Sequence, residues 1–214
     1  MTEINREANV TRIARHEASH LTVGRALGAQ FGGATVEEDT VRGFSGLCWG
    51  PDFESRFAGD NSSVVEQINE LMPRDGDERD KDTAPIFQHV FTRVVELTGG
   101  TEGEMIAYGD AWTASDDRRQ ERQLAALIFS SSEAAEAFIA ACALEARAIL
   151  QRHADVVEAL STALVEHRTI DAAMIDDVIS RAIDARHLAQ EHDRRRRWQD
   201  VITSASRFKG RRQD

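Results

Sequence analysis

The feature that most restricts this chain is an HExxH pentapeptide, His16-Glu17-Ala18-Ser19-His20, set inside a long helical stretch. Val10, Ile13, Ala14, Leu21 and Ala26 recur at helix-compatible intervals from about Ile4 to Leu27, with no proline and no glycine before Gly24. Gly28, Gly32 and Gly33 then end the run. On a helix, residues four apart share a face, so both imidazoles can reach one zinc ion at about 2.0–2.1 Å. Glu17 sits beside the first ligand and can face a zinc-bound water rather than the metal. Zinc lowers the pKa of that water to about 7, and the carboxylate takes its proton as a carbonyl is attacked. The spacing predicts a metal-bearing helix with His16 and His20 as ligands and Glu17 as general base.

A catalytic zinc needs a third protein ligand and an open position. The extended HExxHxxGxxH pattern does not supply it, because Val23 and Ala26 stand where glycine and histidine would be needed. The ligand must come from farther along. Glu104, Asp110, Asp116 and Asp117 are the leading candidates, flanking a glycine pair and the next helix start. His89 and His153 each stand alone in a helix and read as surface or core histidines.

The rest of the chain reads as mainly helical. Its 214 residues can bury one core, and 41% hydrophobic with 29% charged residues is an ordinary globular balance. Thr35-Val36, Thr40-Val41 and Leu47-Cys48-Trp49 form the only convincing β region. A loop over 51–62, a short helix over 64–72 and a charged loop over 74–83 should follow. Helical periodicity returns at Ile86–Leu97, breaks or comes close to another backbone at Gly99-Gly100, and resumes to Tyr108. Further helices are expected over 115–129, 133–153 and 156–165, and from an N-cap at Asp171 onward. The fold expected is a helical domain with a small sheet beside the zinc helix.

Several function classes are disfavoured. A net charge of −11 repels phosphates over most of the surface, so nucleic-acid binding is not the expected activity. Cys48 and Cys142 form no CxxC pair and read as small apolar residues in a reducing compartment. No apolar run approaches the roughly 20 residues that cross a bilayer, and residues 1–12 lack a signal-peptide layout. A cytoplasmic location is the expectation.

The motifs resemble the peptidase domain of the FtsH-type membrane AAA proteases. There HEAGH is followed by a short β region, then GGRxAEE, then TGASND at a helix start. Here the order is HEASH at 16–20, Gly99-Gly100-Thr101-Glu102-Gly103-Glu104, and Thr113-Ala114-Ser115-Asp116-Asp117. Residues 146–179 also look like that family's last helical hairpin, so the resemblance spans about Val10 to Ile183, with gaps. It implies Asp117 as third zinc ligand and Glu104 as a carboxylate orienting a ligand histidine. It implies that Gly46, Leu47, Cys48 and Trp49 form an edge strand along which a peptide or unfolded protein substrate adds. A homo-oligomer is implied too. Ser19 replaces the family's glycine, Thr101 its arginine, and Asp116 its asparagine. No GxxxxGK[ST] phosphate loop occurs, so ATP-driven unfolding is not carried over.

One zinc metallopeptidase domain over 1–186 is therefore expected, followed by a basic, helical or flexible tail over 187–214. Arg194–Arg197, Lys209, Arg211 and Arg212 either contact nucleic acid, an anionic membrane or an acidic partner surface, or meet the chain's own Glu191 and Asp193. The competing reading is a non-catalytic binding or regulatory module that has kept the fold. The intact Glu17 favours the peptidase, because a purely structural zinc has no use for a carboxylate that does not bind it.

Overall fold

The computed structural model describes residues 3–39, 45–51, 84–111 and 115–210. These are mainly helical, with a small antiparallel sheet. Helix α1 spans Glu3–Ala26, and strands β1 (Gly33–Thr35) and β2 (Leu47–Trp49) follow. Helices α2 (Ala84–Tyr108), α3 (Ser115–Ile128), α4 (Ser132–Arg152) and α5 (Ala154–His167) come next, then β3 (Thr169–Asp171) and α6 (Ala172–Gly210). The helix expected over 64–72, the loop over 74–83 and all but Pro51 of the loop over 51–62 lie outside the described residues, as does Thr40-Val41.

α1 is the axis of the molecule, and every residue from 16 to 24 on it is buried. Ile13, Ala14, Ala18, Leu21 and Val23 enter a core shared with Val90, Val94 and Leu97 of α2, Ile149 of α4, and Leu160 and Leu164 of α5. Full burial of a Leu or Val side chain contributes about 1.5–3 kcal/mol, so this sheath fixes α1 firmly. A helix enclosed on all sides can bury polar residues only where each finds a partner.

The sheet order is β2–β1–β3. Ala34 lies opposite Cys48 on one side and Ile170 on the other, both antiparallel. Sequence reading missed β3. Arg168 turns the chain out of α5 in a left-handed conformation (φ 63°), and its carbonyl accepts from Val36 N–H at 2.9 Å. Asp171 still caps the next helix, accepting from Met174 N–H at 2.9 Å.

Two features of α2 and α6 bear on the readings left open by the sequence. The glycine pair does not break α2, which runs through Gly99 and Gly100 to Tyr108. Of the two alternatives it is the close approach, where Gly99 faces Val23 and Gly100 faces both site histidines. α6 carries on as helix to Gly210, so of the two forms expected for the tail its described part takes the helical one. Its arginines meet neighbouring acids, Arg194 and Arg195 at Glu191 and Arg196 at Asp193. No helix among the described residues is long and apolar enough to cross a membrane.

Candidate metal centre

His16 and His20 are 4% and 6% exposed, and each ring is oriented from behind. His16 Nδ1 lies 2.8 Å from Glu104 Oε1, and His20 Nδ1 lies 2.9 Å from the Glu96 backbone carbonyl oxygen. Both partners are acceptors, so both Nδ1 atoms carry hydrogen and both neutral rings present a lone pair at Nε2. Those two Nε2 atoms are 3.0 Å apart. Asp117 Oδ2 completes the triangle, 3.0 Å from His16 Nε2 and 3.3 Å from His20 Nε2.

Three electron-pair donors therefore converge on one point, which calls for a cation. Ligands of a tetrahedral zinc with bonds of about 2.0–2.1 Å stand about 3.3–3.4 Å apart, close to the triangle seen here. A Cβ at Gly100 would come within 2.5 Å of His16 Nε2 and His20 Nε2, so bare backbone on α2 keeps that face of the donors clear. His16, His20 and Asp117 are the group able to hold a metal among the described residues. The donor set fits zinc, and N/O ligation also accommodates other first-row metals.

The electrostatics demand positive charge at the same point. Burial disfavours the His16 imidazolium, yet hydrogen bonds to Asp117 and Glu104 outweigh it and raise the pKa to about 10. Burial likewise opposes the charged His20, which Asp117 raises. Burial would push the Asp117 carboxyl up, but His20 and His16 draw it below the usual carboxylate range. Either a proton or a metal answers this field; only the metal engages all three donors together.

Glu17 occupies its own niche between α1 and β2. It is 5% exposed and accepts the Cys48 thiol at 3.1 Å through Oε2. A Cβ at Gly46 would meet Glu17 Oε1 at 2.6 Å, so the carboxylate lies directly against the start of β2. Burial raises the Cys48 thiol pKa well above normal, and the Glu17 charge adds to this, so the sulfur stays protonated and donates. Cys48 is thus more than a small apolar filler: its thiol holds the carboxylate. Leu47, Cys48 and Trp49 form the sheet edge, with β1 as the sheet neighbour among the described residues.

The other candidate ligands are engaged elsewhere. Asp110 Oδ1 accepts from Arg12 Nη2 at 2.7 Å, and Asp116 binds Arg119 and Gln120. His89 is exposed and His153 sits at the α4–α5 junction. Glu104 is fully buried behind His16 rather than beside Asp117. Three participants escaped sequence reading. Arg12 pairs with Glu104 at 2.5 Å, the Glu96 carbonyl orients His20, and Glu121 is a buried carboxyl one turn beyond Asp117. Burial and then the Asp117 charge raise Glu121 to about 7. Arg12 precedes His16 by four residues and so shares its face, a signal the sequence does carry.

Glu104→Gln is expected to weaken metal affinity by about 10–100-fold, because the amide polarises the His16 ring less than a carboxylate does. Competition against a zinc-binding dye measures it, and an unchanged affinity would remove Glu104 from the centre. Compared with known proteins, no family model matches the chain and no curated protein matches it.

Proposed function

We propose that the chain is a zinc-dependent peptidase acting on unfolded segments or short peptides. The observation that carries this reading is the buried Glu17 carboxylate, one residue from a convergent His16–His20–Asp117 donor triangle. When bound, zinc supplies a Lewis acid that polarises a carbonyl and brings the pKa of water to about 7. Everything else is done by the chain. Glu104 fixes the tautomer of His16, and Arg12 balances the charge of Glu104 within the core. The Glu96 carbonyl does the same for His20. Glu17 accepts the water proton and passes it to the leaving amine, held meanwhile by the Cys48 thiol.

The edge position of β2 suits an extended substrate adding by main-chain hydrogen bonds, next to the general base. That requirement for extended backbone selects unfolded or short substrates over folded ones. The resemblance to the AAA-protease peptidase domain supports the same chemistry, carried here without the nucleotide-binding motif. A cytoplasmic setting accords with two free cysteines.

Metal content of the purified chain tests the centre. About one zinc per wild-type chain is expected, with little in His20→Ala or Asp117→Ala, alongside cleavage of an unfolded protein such as casein that a chelator abolishes. Stoichiometric zinc without cleavage would favour the regulatory-module reading. No zinc uptake at all would end the catalytic one.

A further inference from the structure

α2 turns one narrow face onto α1, and Arg93 begins it. Arg93, Glu96, Gly100 and Gly103 follow one another at intervals of three, four and three residues. At 3.6 residues per turn they span an arc of about 80°. Gly103 meets Ser19, Gly100 meets the Nε2 atoms of His16 and His20, and a Cβ at Gly24 would lie 3.4 Å from Glu96 Cγ. Moving back along α2 is therefore moving forward along α1. Arg93 stands past His20, on the side of the metal centre toward the end of α1.

The Arg93 guanidinium is anchored but not used up. Nη1 donates to Glu96 Oε1 at 2.5 Å, and Glu96 is 7% exposed, so the head group is held in place. Nε is buried with no acceptor. Among the described residues Nη2 has none either. Nε and Nη2 form one edge of the planar group, the fork that meets a carboxylate through two parallel N–H···O bonds. The side chain is 27% exposed, so that fork is not sealed in the core. An arginine serving only its ion pair with Glu96 would turn its spare donors to water rather than bury one unmet.

The fork also lies within the field of the site. Burial works against the Arg93 charge, but Glu96, and then Asp117 and Cys48, raise its pKa above the ordinary value. Asp117 is a corner of the donor triangle, and Cys48 holds the general base. The one cation near both has its carboxylate-binding edge free.

We propose that Arg93 binds a carboxylate of the substrate, a free C-terminus or an Asp or Glu side chain, close to the bond that is cut. Seven residues of helix separate Arg93 from Gly100, about 10 Å, which is the span of about three residues of extended peptide. The carboxylate therefore falls within about three residues of the cut bond. Main-chain pairing along β2 accepts any sequence, and the fork adds the selection that such pairing lacks. The inference rests on the peptidase reading, but the binding it describes needs no turnover.

Fluorescence anisotropy of labelled unstructured peptides tests it, on the zinc-loaded Glu17→Gln chain so that bound peptide is not consumed. Three versions of one neutral sequence are compared: amidated at the C-terminus, with a free C-terminus, and amidated with one central glutamate. At least one carboxylate peptide should bind about 10-fold or more tighter than the neutral amide, and the one that does identifies the source. Arg93→Lys keeps a charge for Glu96 but has no fork, and Arg93→Gln with Glu96→Gln removes the buried pair together. Both should retain zinc while losing most of the preference. Equal binding of the three peptides, binding of none, a preference that survives in both variants, or loss of zinc in both would overturn the inference. The peptidase reading fails separately. A carboxylate preference without cleavage of casein by wild type would remove the peptidase and leave the anchor, whereas cleavage without the preference would remove the anchor alone.

Discussion

Glu17→Gln should leave the metal in place and lower turnover on an unfolded protein by about 10²–10⁴-fold, the range for loss of a general base. The substitution is nearly isosteric, and the Cys48 thiol can still donate to the amide oxygen at the place where it now meets Oε2. Burial pushes the Glu17 carboxyl above its ordinary value, while the His16 and His20 charges pull it back. Removing a buried charge therefore should not destabilise the fold, and the unfolding midpoint should stay or rise. This separates the chemical role from a structural one. Metal retained with turnover lost assigns the base. Metal lost as well would make Glu17 a support of the centre, and turnover retained would exclude it from the reaction.

Much of the centre was legible because helical periodicity and ligand spacing are local. His16, Glu17 and His20 lie on one helix, so four residues of spacing already imply a shared face. Asp117 lies 101 residues from His16, and sequence alone left four carboxylates in play until the family pattern selected one. What the sequence hid is of two kinds. Backbone partners leave no residue signature: any residue at 96 offers the carbonyl that orients His20. Close approaches and breaks look alike: Gly99-Gly100 allows either in sequence, and α2 continues because its glycines meet α1 rather than solvent. β3 was hidden because its turn uses Arg168 where a glycine would have announced the left-handed conformation. It is also three residues long, too short for alternation to show.

Gly103→Ala is expected to destabilise the fold by about 1–3 kcal/mol, the usual cost of overpacking a close contact, and Ser19→Gly should restore it. A Cβ at Gly103 would stand 1.9 Å from Ser19 Oγ and 2.6 Å from Ser19 Cβ. Ser19 is fully buried, and its hydroxyl donates to the Arg15 carbonyl at 2.7 Å, so it has little freedom to give way. In the AAA-protease pattern the corresponding positions of HEAGH and GGRxAEE hold glycine and alanine. Here serine and glycine exchange the bulk across the same α1–α2 contact. Each single change breaks the match: Gly103→Ala overfills it, while Ser19→Gly opens it and adds about 1 kcal/mol of helix cost. The double variant returns to one small and one larger side chain, so the two effects should couple by about 1–3 kcal/mol in urea unfolding. Metal content should follow stability, since the same α1–α2 packing brings His20 to the Glu96 carbonyl and both histidines to Gly100. Strict additivity would show that α1 and α2 do not meet through this pair, and the position of α2 against the two histidines would then need another cause.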